Sequence, residues 1–358
     1  MANPEIPSTP DQLTVKLLNG VLRKSGRWHL GPFDSIKVST PHGAADGMSN
    51  SVHQIDGKLK SGKTIRLIVK LSDAGGSTGA QRGDQHEVFF YRELAEIAGV
   101  SSPVAYAAEF DEVTQRKMIV LEHLGADGEI GSIHTYLNVS EIERIVIALA
   151  GMHSKWWNTD GLSSLTNVRT FEDAIAGGAE QFASGHYSGK RFIDKYGEHL
   201  DPEIREIYAA PNPWNTRLIS AFSGNRTLCN YDVAPKNLFL PHDPTVPPKF
   251  FDWSLLTRGS IGIELAVVLA YSLRVEDHGK FEQILETYLK TMRDLGVTAL
   301  SWNTLWNDFR RGLLIRLAAP IALTSRDYQP AHELALELLP RISSAVLVSG
   351  AKEIVEIQ

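Results

Sequence analysis

The sequence predicts an α+β chain of two lobes, a β-rich front followed by a larger and mostly helical rear. Three observations carry that reading. β-branched residues crowd segments 36–55 and 64–71, with Ile65, Leu67, Ile68 and Val69 as the densest run. From Glu141 onward the apolar residues recur mainly at helical spacing. At 358 residues and 43% hydrophobic content, the chain passes the roughly 250–300 residues at which a single core stops growing. Strands gathered ahead of helices, rather than alternating with them, describe α+β and not repeated βαβ units.

Thr9-Pro10-Asp11-Gln12 places a capping hydroxyl, a first-turn proline and an early acid ahead of Leu13, Val15, Leu17 and Leu18. The pattern predicts a short leading helix. The two β-rich segments follow, joined through turns near Asp56-Gly57 and Lys60-Ser61-Gly62. Residues 87–97 carry Val88, Tyr91 and Leu94 at the period of one buried helical face, which Gly99 ends. Residues 104–110 and 118–121 read as two more strands, and Gly125-Ala126-Asp127-Gly128 breaks the pattern. That break separates a first lobe, 1–124, from a second, 125–358. Helices are expected over 141–157, 202–208, 281–295, 302–317 and 332–346, with a strand-like patch at 227–229, 238–240 and 250–251.

Composition excludes several classes. A formal net charge of -6 does not suit a nucleic-acid binder, which needs clustered cations to displace counterions. The single cysteine, Cys229, forms no intrachain disulfide and no multi-cysteine zinc site, and it suits a reducing compartment. Residues 1–12 lack a charged-then-apolar leader pattern. The longest apolar stretch, Leu265 to Leu273, falls short of the roughly 20 residues of a bilayer span and reads as a buried helix. The expectation is a cytoplasmic protein, a monomer or weak dimer, with no membrane partner.

Two motifs match famous spellings in the wrong context. Residues 57–64, Gly-Lys-Leu-Lys-Ser-Gly-Lys-Thr, spell a phosphate-binding loop, but such a loop must open a helix whose amides face the phosphates. Here Thr64 leads into the strand Ile65 to Val69, so a hairpin turn is expected. Gly75-Gly76-Ser77-Thr78-Gly79 spells a hydrolase nucleophile elbow without the preceding βα units that motif needs, and reads as a glycine-rich loop.

Phosphoryl transfer asks for a cation on the nucleotide phosphates, oxygen ligands for a metal, and a carboxylate near the attacking hydroxyl. The chain offers these in order. Lys70 ends the most apolar front strand and Glu87 opens the following helix, close enough in sequence to pair with it. In the run from Leu228 to Leu240, Asp232 and Asn237 lie five residues apart in a proline-containing loop between apolar strands, the D-x-x-x-x-N spacing of a kinase catalytic loop. Asp252 follows Phe250-Phe251 directly. In these roles Asp232 accepts or orients the substrate proton, Asn237 and Asp252 supply hard oxygens to Mg2+, and Lys70 holds the phosphates. Each half alone reads equally well as an Asx turn beside a hairpin; the ordered set of five favours chemistry. His153, on an apolar helix, reads as a satisfied core residue, and Trp156, Trp157, Trp214, Trp302 and Trp306 read as core.

At these residues the chain resembles the aminoglycoside phosphotransferase and choline kinase superfamily, most of all its ecdysteroid-kinase-like branch. The resemblance rests on Leu67-Ile68-Val69-Lys70, residues 87–94, the hinge-like Met118 to Leu124, the helix 148–157, residues 288–297 and the two acidic motifs. It implies the two-lobed protein-kinase-like fold, with residues 1–124 binding nucleotide and 125–358 carrying catalysis and substrate. It also implies ATP and Mg2+ as cofactors, with nucleotide contacts at Glu122, His123 and Leu124, at Lys70 and Glu87, and from backbone amides of Met48, Ser49 and Asn50. The family usually has His-Gly before its catalytic Asp, where this chain has Asn230-Tyr231, and residues 43–51 do not spell G-x-G-x-x-G.

The expected function is therefore ATP-dependent transfer of phosphate to the hydroxyl of a small molecule. The departures at Asn230-Tyr231 and in the front loop leave open a degenerate pseudokinase that binds nucleotide or a partner. A protein kinase fits less well, because no Ala-Pro-Glu follows Asp252. Aromatic residues in 171–214 and 302–309 favour a partly apolar alcohol such as a steroid or macrolide, while Glu333 and Glu337 leave a cationic acceptor open.

Overall fold

Alternation along the front strands decides which side chains meet. Five strands, β1 (Phe33–Ser39), β2 (Asn50–Leu59), β3 (Thr64–Ser72), β4 (Ala105–Asp111) and β5 (Arg116–Glu122), form an antiparallel sheet in the order β1-β2-β3-β5-β4. The computed structural model describes residues 6–41, 50–72, 78–210, 216–326 and 328–356. The phosphate-loop spelling is the β2–β3 hairpin: Gly57 pairs with Ile65, Gly62 turns the chain at φ +88°, and Thr64 opens β3. The other glycine-rich spelling, 75–79, falls largely outside the described residues.

Side chains on a strand alternate between faces. Leu67, Val69 and Leu71 of β3 and Met118 and Val120 of β5 bury together with Leu18, Val21 and Leu22 of helix α1 (Val15–Ser25). Lys70, Ser72 and Lys117 have the opposite parity and leave that core. The leading helix starts later than its sequence suggests. Thr14, not Thr9, caps it by accepting the Leu17 amide, while Pro10–Gln12 makes only a 3-10 turn and Gln12 folds back onto the Ser8 amide.

Helix α2 (Thr78–Phe89) continues into a π turn at Phe90–Leu94. The sequence reading opened this helix at Glu87, whereas the structure places Glu87 in its last turn. The earlier turns carry Gly79, Gly83 and Asp84 and show little apolar periodicity, so they do not announce a helix.

The chain divides into two units: 1–129 with 241–243 and 249–256, and 130–240 with 244–248 and 257–358. In the second unit, helix α3 (Val139–Trp156) begins with a reciprocal Asn138–Glu141 capping box. All twelve residues of the helix Ile261–Ser272 are buried. Helices Phe281–Asp294, Trp302–Arg316 and Gln329–Val348 complete its larger elements. Trp156 is core, but Trp157, Trp302 and Trp306 are only half-buried, with Trp302 and Trp306 stacked at 5.6 Å; Trp214 lies outside the described residues. No helix among the described residues is long and apolar enough to cross a membrane.

His278 gives this unit a pH dependence. It is buried, stacked on Phe281 at 4.8 Å, with Nδ1 2.9 Å from Ser344 Oγ. Burial pushes its pKa from 6.5 down to about 4. The unfolded chain therefore takes up a proton that the folded one refuses, so this contribution is complete above pH 6.5 and lost as pH falls through 4. Denaturation midpoints across that window should fall toward acid, and His278→Gln should remove this share of the loss.

Candidate active site

In the first unit, Lys70 and Glu87 meet as the order of motifs predicts. Lys70 Nζ lies 2.5 Å from Glu87 Oε1, and both side chains are buried. Asp252 joins them, its Oδ1 3.7 Å from Lys70 Nζ. Asp252 adopts a left-handed backbone, φ 59° and ψ 74°, a conformation that costs a non-glycine residue about 1–3 kcal/mol and persists only where its surroundings enforce it. The next residue supplies that enforcement. Trp253 is buried, stacks on Phe90 at 3.6 Å, and donates its indole N–H to the Phe250 carbonyl at 3.2 Å.

A second lysine completes the cluster, and the sequence reading missed it. Lys117 is wholly buried; it pairs with the other Glu87 oxygen and lies 2.8 Å from Asp84 Oδ1. Ser72 Oγ donates to Asp84 at 2.5 Å and accepts the Lys117 amide at 2.8 Å. Burial alone would lower the Lys117 pKa, but the carboxylates of Glu87, Asp84 and Asp252 more than reverse that and keep it charged. Burial, reinforced by Glu87 and Asp252, raises the Tyr91 pKa and keeps its phenol neutral. Parity could have found Lys117, since it shares a strand face with Ile119 and Leu121 rather than with Met118.

The expected nucleotide contacts fall as follows. Glu122 ends β5; its carboxylate pairs with Lys249 and accepts the Val104 amide at 3.0 Å. His123 and Leu124 lie past the end of the strand, out of the ladder. Asn50 opens β2 opposite Ser72, while Met48 and Ser49 lie outside the described residues.

In the second unit, the loop between strands Thr227–Asn230 and Leu238–Pro241 brings Asp232 and Asn237 together. Asn237 Nδ2 donates to the Asp232 carbonyl at 2.8 Å and to its Oδ2 at 2.9 Å, and Lys236 Nζ lies 3.1 Å from the same Oδ2. With its amide nitrogen so occupied, Asn237 keeps Oδ1 as a hard oxygen donor. Asp252 in the first unit offers a carboxylate oxygen and Asn237 in the second a neutral amide oxygen, each a donor type that suits Mg2+.

Asn230 and Tyr231, just ahead of Asp232, anchor this loop. The Asn230 amide donates to Glu264 Oε1 at 2.7 Å, and Glu264 Oε2 lies 2.5 Å from His153 Nε2. His153 Nδ1 in turn meets Tyr288 Oη at 2.8 Å, so His153 is the satisfied core histidine expected. The Tyr231 hydroxyl donates to the Ser260 carbonyl at 3.1 Å and accepts the Ser260 amide at 2.8 Å. Gly259 leaves room for it, since a Cβ there would stand 2.1 Å from that oxygen. Ligand atoms of His153, Cys229 and Glu264 lie within 4.8 Å of one another, but burial and the neighbouring Glu264 raise the Cys229 pKa and keep the thiol protonated. The three form a hydrogen-bonded cluster.

Removing one member of a buried charge network while leaving its partners costs about 3–5 kcal/mol. Lys117→Met should lose stability on that order, read by chemical denaturation, because Asp84 and Glu87 would keep one lysine between them.

No family model matches the sequence, and no curated protein matches it either. Solved structures do. A choline kinase from Cryptosporidium parvum superposes with a TM-score of 0.57 at 12% identity, over 96% of each chain. An aminoglycoside 2'-phosphotransferase in its GDP complex gives 0.56 at 12% identity, over 87% of this chain and 93% of that one. An ethanolamine kinase from Plasmodium vivax gives 0.55 at 12% identity, over 89% and 84%. The chain has the α+β, protein-kinase-like fold that these structures share.

Proposed function

We propose that the chain is an ATP-dependent phosphotransferase that moves the γ-phosphate onto a hydroxyl of a small molecule. The observation that carries this is the conjunction of a buried Lys70–Glu87 pair with Asp252 at 3.7 Å and an Asp232 carboxylate fixed by Asn237 and Lys236. Each belongs to a known part of phosphoryl transfer, and the fold is one that small-molecule kinases use.

On this reading Lys70, oriented by Glu87, holds the nucleotide phosphates. Asp232 orients the acceptor hydroxyl and takes its proton as the oxygen attacks in line. Lys236, already beside Asp232, adds positive charge where the transferred phosphoryl group gathers negative charge. Asn237 Oδ1 and the Asp252 carboxylate would hold Mg2+, which neutralises charge on the phosphate oxygens when bound. The backbone at His123 and Leu124, just past the end of β5, would meet the purine.

A pseudokinase would share the fold, and Asn230-Tyr231 is what suggests one. The bonds that Asn230 and Tyr231 make to Glu264 and Ser260 favour the enzyme instead, because they hold the Asp232 loop without the family's histidine.

Asp232→Asn should lower Mg2+-dependent ADP release on a panel of hydroxylated acceptors by about 10²–10⁴-fold with an unchanged melting midpoint. Turnover retained at the wild-type rate would sink the assignment. Calorimetry supplies a second check: ATP should bind the wild type in a metal-dependent way, and Asp252→Asn should weaken that dependence. Binding indifferent to metal would favour the pseudokinase.

A further inference from the structure

The helix Ile261–Ser272 that anchors the Asp232 loop through Glu264 carries a second polar group, Tyr271, two turns further along the same face. Tyr271 is almost wholly buried, and its phenol lies in the field of both Asp232 and Lys236. Its oxygen accepts two bonds from Arg316, from Nε at 3.0 Å and Nη2 at 2.8 Å. Burial keeps the phenol protonated. An oxygen that accepts twice still has its own proton to donate, and among the described residues none accepts it.

Arg316 is in the same state. It is only partly buried, and among the described residues no carboxylate pairs with it; Tyr271 is its bonding partner. Nη1 and the second hydrogen of Nη2 remain as a planar fork of donors. A guanidinium fork and a phenolic O–H that converge without an acceptor are matched by a carboxylate, which accepts two parallel N–H bonds and a third from the hydroxyl. Local charge agrees: beside the phenol stand one carboxylate, Asp232, and two cations, Lys236 and Arg316. Glu337, which in sequence left room for a cationic acceptor, is paired with Arg341 and stands 3.6 Å from His134.

We infer that the acceptor alcohol is a hydroxy carboxylic acid, its carboxylate held by Arg316 and the Tyr271 hydroxyl while its own hydroxyl faces Asp232. The inference rests on the phosphotransferase reading and names the acceptor class for it. In the transfer itself, the acceptor oxygen forms the new P–O bond, the bond to the β-γ bridging oxygen breaks, ADP leaves, and the hydroxyl proton goes to Asp232. The carboxylate stays unreacted.

The test uses size-matched acceptors that differ in one group, bound to the full chain with ADP and Mg2+ present and read by calorimetry. One set is hydroxymethylbenzoate, benzenedimethanol and aminomethylbenzyl alcohol; a shorter set is hydroxybutyrate, butanediol and aminobutanol. The acid of at least one set should bind about 10-fold or more tighter than its neutral and amine counterparts. Arg316→Met should weaken that acid by about 10–100-fold, the worth of a charge-assisted bond, and Arg316→Lys should restore part of the loss. Tyr271→Phe should weaken the acid by a smaller factor and, as a near-isosteric change, guards against misfolding of the arginine variants. Tighter binding of the amine or diol in both sets, no binding of either acid, or an Arg316→Met protein with unchanged preference would each overturn the proposal. Because binding is read without turnover, these outcomes stand apart from failure of the phosphotransferase reading, which would show as no nucleotide consumption with any acceptor.

Discussion

A carboxylate with no access to water must be neutralised by its neighbours or become protonated, and the first unit is organised around one such group. Glu87 is wholly buried, and each of its oxygens takes a lysine, Lys70 from β3 and Lys117 from β5. These lysines come from neighbouring antiparallel strands and share a sheet face, so the ion pairs tie α2 to the sheet at two points. On the proposed reading, Lys70 is thereby held in one place before the nucleotide arrives. Preorganised charge is worth more to a transition state than charge that must reorganise to meet it.

The second unit repeats the device with different chemistry. Glu264 is also wholly buried, but no lysine faces it among the described residues. It accepts from the Asn230 amide and His153, and it lies beside the Cys229 thiol. In both units the side chain to which the proposed reading gives a role in transfer is not the most buried one. Lys70 and Asp232 stand at the edge of a network centred on a buried glutamate, and the centre sets the position of the edge.

The legibility of these parts in sequence follows from the same physics. Strand runs and long amphipathic helices were readable because their apolar faces bury, and β3 or the helix Phe281–Asp294 fall close to where periodicity puts them. The turns of α2 before Glu87 were not, because the inward face there includes Asp84 and Glu87, and a polar face turned inward inverts the signal that periodicity detects. Lys117 was missed for a related reason: beside Arg116, after a turn, it reads as a strand-end lysine in solvent. Spacing singled out Asp232 and Asn237, which the loop joins by hydrogen bonds, and Asp252, which stands 3.7 Å from Lys70. It did not single out Arg316 and Tyr271, since 45 positions separate them and only folding makes them neighbours.

The helix Ile261–Ser272 explains how the Asp232 loop keeps its geometry. It is apolar almost all round, and burial of all twelve of its residues fixes its position more firmly than any one hydrogen bond could. Ser260 at its start holds Tyr231, Glu264 in its first turn holds Asn230, and Tyr271 near its end holds Arg316. On the proposed reading, the base and the acceptor's carboxylate are thus referred to a single rigid element. A substitution that shifts this helix would disturb catalysis and selectivity together, whereas one at Arg316 would disturb selectivity first. The support of the Asp232 loop does not lie in one residue; it lies in a helix whose every residue is buried.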